Sequence, residues 1–506
     1  MKKPIPFSLN KIPVMGIVLL ILFFVSTACQ HRNRLHTDES VLGEKILAEE
    51  EQKAILLEEN KRTIKPSTVS AGIKFKGRRV SDPSHPPVLL DIIQSRESVR
   101  QIKLSQIGQD IQYVKLAHPA DSTYFMLGCH LVFTPNYIYA QTQKSIVCFD
   151  RTGQFLQEIC QNKVEPADFK TSGGVSMVVV RRSTMDQYYG NVGNIQAVGD
   201  KLFYQYRDYP NNTGQLITFE PDLYLPSLPN PVPGTETVEN FHLGQPVRTF
   251  NASERILNFY PIDDQTYGDI RDKMASKTVH NILTIHSVNG DTTCAFTDYD
   301  PIINYTNTVG RGTEAADRYT LNGSFHYRPR FNDTIFRLEL PDKLIPKYVI
   351  GYGGRGISSS MEGIDPRYSL ADKFVNGTFV ESQSHIFIEY TQDYSCPNTA
   401  NKGTLKYNRC IYFKNTGDLV HIQKDEAAGP VKEMTWPMNH AQRILNDLDQ
   451  GVDFWPDGIT PEGIPYEQLA MAQLIKRIEE SGSTNQRLKE MVSRANPYEY
   501  LIITVK

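Results

Sequence analysis

From about Val99 to the last residue, short runs of Val, Ile, Tyr, Phe and Leu alternate with clusters of Gly, Pro, Asn and Asp. That grain predicts half-buried strands joined by tight turns. Two stretches repeat it closely: "IVCFDRTGQFLQEI" (Ile146 to Ile159) aligns with "CIYFKNTGDLVHIQ" (Cys410 to Gln423) through strand, Phe, two residues, Thr-Gly, strand. Gly153 and Gly417 fall where a hairpin needs a positive φ that other residues resist. Similar hairpins are predicted near Pro221, Asn289 and Pro341. Taken with Asp150 and Asn415, these markers recur every 52 to 74 residues. A four-stranded propeller blade takes ~40 to 50 residues, so this period predicts blades carrying insertions, about six of them.

A ring of blades must close. "IQYVKL" (Ile111 to Leu116) and the terminal "YLIITVK" (Tyr500 to Lys506) both read as strands, and pairing them in one blade would remove two exposed edges. A different period interrupts the strands near the end. In "EQLAMAQLIKRIEE", Met471, Leu474, Ile475 and Ile478 recur at i, i+3, i+4, i+7, which predicts an amphipathic helix. A second helix is expected from a capping box at Ser483 and Gln486, with Leu488, Met491 and Val492 on its apolar face and Asn496-Pro497 as its stop. Both stripes read as docking surfaces against the ring.

The first 98 residues have another texture. Val14 to Val25 is an apolar run of 12 residues, short of the ~20 that cross a bilayer as a helix. Lys2, Lys3 and Lys11 precede it, and Ser26, Thr27 and Ala28 follow, the order of an export signal. The small-small-Cys junction resembles the lipobox of bacterial lipoproteins, with Ser26 where Leu is usual. The resemblance implies cleavage before Cys29, acylation of Cys29, and anchoring by two or more acyl chains. Gln30 after the cysteine implies sorting to the outer membrane. His31, Arg32 and Arg34 do not resemble the acidic surface-export tag of Bacteroidetes lipoproteins, so the periplasmic face is expected. The Glu-, Lys- and Leu-rich stretch up to Pro66 predicts a solvated helical stalk, and "SDPSHPP" (Ser81 to Pro87) a linker. The expected domains are a signal peptide over 1–28, a lipidated stalk and linker over 29–98, and a propeller over 99–506 with a helical insertion at about 465–495.

Composition narrows the chemistry. Lys and Arg number 54 against 57 Asp and Glu, and no basic stripe interleaves with aromatics, so nucleic acid is not expected as a partner. Six cysteines follow Cys29, none in CxxC spacing, which argues against zinc and thioredoxin-like sites. Cys396 and Cys410 bracket a loop that would let them form a disulfide; the alternative is two buried thiols packing as small hydrophobes.

"IKLSQIGQDIQYVKLA", "FHYRPRFNDTIFRLE", "LNDLDQGVDFWPDGIT" and "NPYEYLIITVK" resemble, in order, the signature segments of the six-bladed β-propeller lipoproteins of Bacteroidetes. The resemblance runs from about residue 99 to the end. It departs from the family at "NKVEPADF" (Asn162 to Phe169), where a Gly-Pro-Gly-Glu-aromatic turn is usual. It implies an all-β six-bladed propeller and an envelope address, and no particular reaction.

Neither HExxH nor G-x-S-x-G occurs, and no catalytic residue, metal ligand or cofactor is assigned. His280 and His286 are spaced to share a strand face, as a structural pair rather than a ligand set. "GYGGRG" (Gly351 to Gly356) reads as an inter-blade turn. Asp447, Asp449 and Asp453 sit partly as in a calcium loop, but Gly458 stands where its glutamate belongs, which favours an Asp-rich turn bonding its own backbone. Candidate binding residues are Tyr327, Arg328 and Arg330, whose guanidinium groups suit carboxylates or sugar acids, and Trp436 and Trp455, each ahead of a proline, whose indoles suit a sugar ring. The plain alternatives are an arginine paired with a neighbouring blade's acid and indoles buried between blades. The expected function is a lipid-anchored, non-catalytic binding or scaffold propeller of the cell envelope, its ligand a glycan, peptide or envelope protein. The alternative is a propeller enzyme acting on polysaccharide, a lyase or a glycoside hydrolase, the latter needing two facing carboxylates.

Overall fold

The alternating runs become strands that pair mostly with their sequence neighbours, so the chain builds one small antiparallel sheet after another. A computed structural model describes residues 74–116, 129–142, 145–161, 170–172, 175–177, 192–208, 213–225, 241–251, 259–270, 280–298, 317–329, 332–356, 373–392, 406–423, 442–495 and 499–506. Five strands precede the first blade: β1 (Phe75–Lys76), β2 (Arg78–Arg79), β3 (Val88–Asp91), β4 (Val99–Arg100) and β5 (Ile111–Leu116). Blade 1 is β6 (His130–Phe133), β7 (Tyr137–Gln141), β8 (Ser145–Asp150) and β9 (Phe155–Gln161). A hairpin of β10 (Lys170–Ser172) and β11 (Val175–Met177) follows. Blade 2 is β12 (Val192–Val198), β13 (Lys201–Asp208), β14 (Thr213–Phe219) and β16 (Gln245–Asn251); before β16, the short β15 (Phe241–His242) pairs back onto β9 of blade 1. Blade 3 is β17 (Phe259–Pro261), β18 (Thr266–Ile270), β19 (His280–Ser287) and β20 (Thr292–Asp298). Blade 4 is β21 (Asp317–Leu321), β22 (Ser324–Arg328), β23 (Thr334–Glu339) and β24 (Lys343–Gly351). Blade 5 is β25 (Phe374–Glu381), β26 (His385–Gln392), β27 (Lys406–Phe413) and β28 (Asp418–Ile422). Blade 6 is β29 (Gly458–Ile459), β30 (Pro465–Ala470), β31 (Tyr500–Val505) and, from the other end of the chain, β5. The protein is a six-bladed β-propeller.

The ring closes as the two chain ends predict. β31 and β5 run antiparallel with Ile503 opposite Tyr113, and Lys506 N donates to Asp110 O at 2.9 Å. The hairpin glycines also hold: Gly153 has φ +88° and Gly417 φ +77°, each in the turn between the third and fourth strands of its blade. Asn289 and Pro341 likewise lie in such turns. Pro221 does not mark a hairpin; it opens the helical turn α1 (Pro221–Tyr224), where its fixed φ and missing N–H are tolerated.

Six apolar clusters fill the six seams between blades. Leu116 and Ile502 meet Leu131, Val147 and Phe149 at the seam of blades 6 and 1, and Phe203 and Leu216 meet Phe259 and Tyr267 at that of blades 2 and 3. Burial of this kind drives the stacking.

The segment expected as a linker is part of the ring. β1 pairs in parallel with β20 of blade 3, β2 and β3 with β24 of blade 4, and β4 with β28 of blade 5, before Lys103 bridges to Leu445 and β5 completes blade 6. Residues 75–100 thus form a strap over three successive blades. Each contact satisfies backbone groups that the last strand of a blade would otherwise leave unpaired. Leu90, Ile92, Ile102 and Leu104 are wholly buried, anchoring the strap into the seams on either side of blade 5.

The helical insertion lies between β30 and β31. α2 (Met471–Ser481) buries Met471, Leu474 and Ile478, and α3 (Gln486–Ser493) buries Leu488, all against the seam of blades 5 and 6. The predicted start of α2 is early, because Glu467 to Ala470 belong to β30 and pair with β31. The cap of α3 is Asn485, whose side chain accepts from Leu488 N, rather than Ser483. Among the described residues, no helix is long and apolar enough to cross a membrane. The expected signal, stalk and Cys29 lie outside them.

Candidate functional site

The two ends of the ring are unlike. At one, blades turn from first to second strand through short links such as 199–200, 322–323 and 382–384, the long link 220–244 of blade 2 being an exception at this end. At the other, the links between blades and between second and third strands include 299–316, 393–405 and 423–457. Loops on a stiff scaffold are where recognition concentrates. The first strand of each blade lines the axis and starts at this loop-rich end, so its opening residues stand around the channel mouth.

Those residues carry chemistry. His130 opens the first strand of blade 1, Tyr260 and Arg318 are second in those of blades 3 and 4, and Asp457 immediately precedes that of blade 6. They reach one another: Arg318 lies within electrostatic range of both His130 and Tyr260, and the Tyr260 phenol takes a hydrogen bond from Thr320. Tyr466, on the second strand of blade 6, extends past the inner strand toward Tyr260. Gly458 allows this, since a Cβ there would stand 2.8 Å from the Tyr466 hydroxyl and 3.0 Å from its ring. The Tyr466 ring also packs against Phe133 with centroids 4.3 Å apart.

Asp457 is open to solvent yet enclosed by the channel wall. That enclosure, with the nearby Glu467 charge, raises its pKa to about 7, although its Oδ2 accepts from Gln468 N at 2.9 Å. His130 is exposed, yet partial desolvation by the surrounding protein lowers its pKa below its ordinary value, and the Arg318 charge lowers it further. Glu467 is no free partner for Asp457. It is buried and accepts from Arg443 Nη1 at 2.7 Å and Arg477 Nη1 at 2.8 Å. Burial would raise its pKa, but the two arginines outweigh this and hold it down. Among the described residues the mouth therefore offers an accessible carboxyl that titrates near neutrality, the cations Arg318 and Lys373, an imidazole and two phenol rings.

The residues singled out from sequence lie elsewhere. Tyr327 is buried in the seam of blades 3 and 4, donating to Ile282 O at 3.2 Å. Arg328 is fully buried and paired with Asp317, directly opposite it in blade 4. The paired-arginine alternative is the one observed, with an acid of its own blade. Trp455 is 3% exposed, covered by the Arg409 guanidinium 4.7 Å above its ring and by the edge of Phe387. Its indole is not displayed to a sugar. Arg330, Trp436 and Cys396 lie outside the described residues. Cys410 is a free, wholly buried thiol packed in the seam of blades 4 and 5, as the small-hydrophobe reading of that cysteine has it.

The Asp-rich stretch is a structural hub. Asp447 accepts from Ser105 N and Oγ, Asp449 from the Tyr113 hydroxyl at 2.8 Å and Asn485 Nδ2 at 2.7 Å, and Asp453 from Asn446 N. It ties strap, closing strand and helices together, and no metal-binding cluster occurs among the described residues. His286 stacks on Tyr267. Gly353 and Gly354 take positive φ in the turn leaving blade 4.

Sequence reading missed His130, Tyr260, Arg318, Asp457 and Tyr466, which are scattered along the chain. Their shared signal is position, a polar or aromatic side chain at the opening of a blade's first strand or reaching across it.

The fold is similar to that of a candidate exported protein of Bacteroides fragilis, with TM-score 0.47 and 13% identity, covering 83% of this chain and 99% of the other. It is also similar to a member of the duf4221 family from Bacteroides vulgatus, with TM-score 0.39 and 11% identity over 79% of this chain and 96% of that one. No curated protein matches. The sequence model of DUF4933, a domain of unknown function, matches residues 70–480, from just before the strap to the last turn of α2, and the chain belongs to that family.

Proposed function

We propose that this protein is a non-catalytic binding propeller of the bacterial cell envelope, tethered through acylated Cys29 to the outer membrane on its periplasmic side, and that it holds its ligand at the loop-rich mouth of the central channel. The observation that carries this reading is the convergence of His130, Arg318, Tyr260, Tyr466 and Asp457 at one end of a rigid ring. Ligand sites favour such openings, where a few polar groups meet aromatic surface. The hydrolase alternative needs two carboxylates facing each other. Among the described residues of the mouth, Asp457 has only Glu467 beside it, and Glu467 is tied to two arginines.

The test is a pull-down from envelope glycans and envelope proteins with the full chain, alongside a polysaccharide turnover assay. Capture that weakens when Arg318 is replaced supports the reading; turnover of a polysaccharide without capture overturns it. Mass spectrometry of the mature N-terminus tests the anchor, and an unmodified Cys29 would remove it.

A further inference from the structure

Building on the channel mouth as the binding site, we propose that it takes the carboxylate of a sugar acid, with Arg318 as the anchoring group. Arg318 is the only arginine that the described inner strands bring to the mouth, where Lys373 just precedes the first strand of blade 5, and among the described residues Arg318 makes no ion pair. Its neighbour Asp317 is committed to Arg328. A guanidinium is planar, permanently charged and shaped to bind a carboxylate through two parallel N–H bonds. With no ion pair among the described residues, it favours an anion of matching geometry.

The surroundings select what carries that carboxylate. His130, on the far side of the axis, has a lowered pKa, which favours the neutral ring that can donate or accept without adding charge. Tyr260 places a phenol beside the cation and Tyr466 a second one near Tyr260, and the missing side chain at Gly458 is what lets the Tyr466 ring enter. Aromatic faces beside a cation suit a pyranose ring bearing a carboxylate and hydroxyls better than a flexible acidic side chain.

Asp457 makes the site sensitive to pH. Among the described residues, the titratable and charged groups facing it or the ligand are His130, Cys129, Asp317, Arg318, Tyr260, Lys373 and Tyr466, with Glu467, Arg443 and Arg477 behind. The phenols, and the Cys129 thiol, whose pKa burial raises to about 12, stay protonated across neutrality, while Asp317, Glu467 and the arginines remain paired or fixed. Above its pKa of about 7 the Asp457 carboxylate repels an incoming anion; below it the neutral carboxyl can donate a hydrogen bond. Protonation of His130 at lower pH acts in the same direction. Affinity therefore rises on acidification.

The test is calorimetric titration of the full chain with sodium glucuronate, glucose, sodium glutamate and sodium acetate at about pH 6 and about pH 8. Glucuronate is expected to bind about tenfold or more tightly than the other three, and more tightly at the lower pH. Arg318→Gln is expected to weaken it about tenfold with the melting temperature unchanged. Asp457→Asn should retain binding and flatten its pH dependence. Should Arg318→Gln fail to fold, Arg318→Lys, which keeps the charge and loses the fork, is read instead for the same direction of loss. Equal binding of glucose, glutamate as tight as glucuronate, or full affinity in the Arg318 variants would each overturn the assignment. A silent titration, in a protein that still captures an envelope partner through the channel mouth, would remove the sugar acid and leave the binding function standing.

Discussion

Lys347 Nζ, on the outermost blade-4 strand, lies 2.9 Å from Oε1 of Glu381, at the end of the innermost strand of blade 5. Glu381 is fully buried and also accepts from Lys414 Nζ at 2.6 Å, the Tyr348 hydroxyl at 2.7 Å and the Tyr319 hydroxyl at 2.5 Å. Burial alone would raise the pKa of this carboxyl, but the two lysines and the hydrogen bonds outweigh it and hold the group at about 2. A polar knot thus sits in a seam that is otherwise apolar, at the end of the ring with short turns.

Replacing Glu381 by Gln should be costly. It removes the acid that, among the described residues, pairs with both partly buried lysines, and breaking a buried pair by deleting one partner costs about 3 kcal/mol or more. Urea unfolding of Glu381→Gln against the parent checks this; a loss under about 1 kcal/mol would mean that solvent reaches the lysines and screens them.

Stability should fall with acid in two windows. His326, His385 and His421 are buried, and burial lowers each pKa to about 4. Between about 6.5, where an unfolded histidine titrates, and about 4, the unfolded chain binds more protons than the folded one. Their contribution is present above the upper limit and is lost as pH falls, by at most about 1.4 kcal/mol per pH unit for each ring. Glu381 acts in the same direction lower down, between about 4.5 and 2. Urea midpoints measured from neutrality to about pH 4.5 should decline, less steeply in His421→Gln; a flat profile would contradict the burial of these rings.

The two glycines of the internal repeat should respond differently to alanine. Both have positive φ, which costs an L-residue about 1 kcal/mol. A Cβ at Gly153 would also collide with the backbone carbonyl of Lys115 on the closing strand, whereas at Gly417 the nearest atom is the Tyr412 hydroxyl at 4.0 Å. Gly153→Ala is expected to lose about 3 kcal/mol and Gly417→Ala about 1 kcal/mol, by thermal or urea unfolding. Equal losses would show that the closing strand yields.

Leu90→Ala tests the strap. In a linker this change is neutral, but Leu90 is wholly buried against blades 4 and 5, where large-to-small substitution costs about 2 to 5 kcal/mol. A stability change within about 0.5 kcal/mol would place the strap outside the cooperative unit.

What the sequence by itself determined is local. Alternation, Thr-Gly turns and two strand-like ends specify small sheets and a closed ring, because period and turn chemistry act within a few residues. The amphipathic stripes of α2 and α3 were legible for the same reason. Only the tertiary structure decided the rest. β1, β2 and β4 are two residues long, too short for any pattern, and are strands only because β20, β24 and β28 present unpaired edges. Arg328 reads alike displayed or buried until Asp317 is placed beside it across the blade, and Trp455 until Arg409 covers it. The channel mouth draws His130, Tyr260, Arg318 and Asp457 from four blades. Nothing in their neighbourhoods along the chain marks them, because their proximity comes from the ring's closure about its axis.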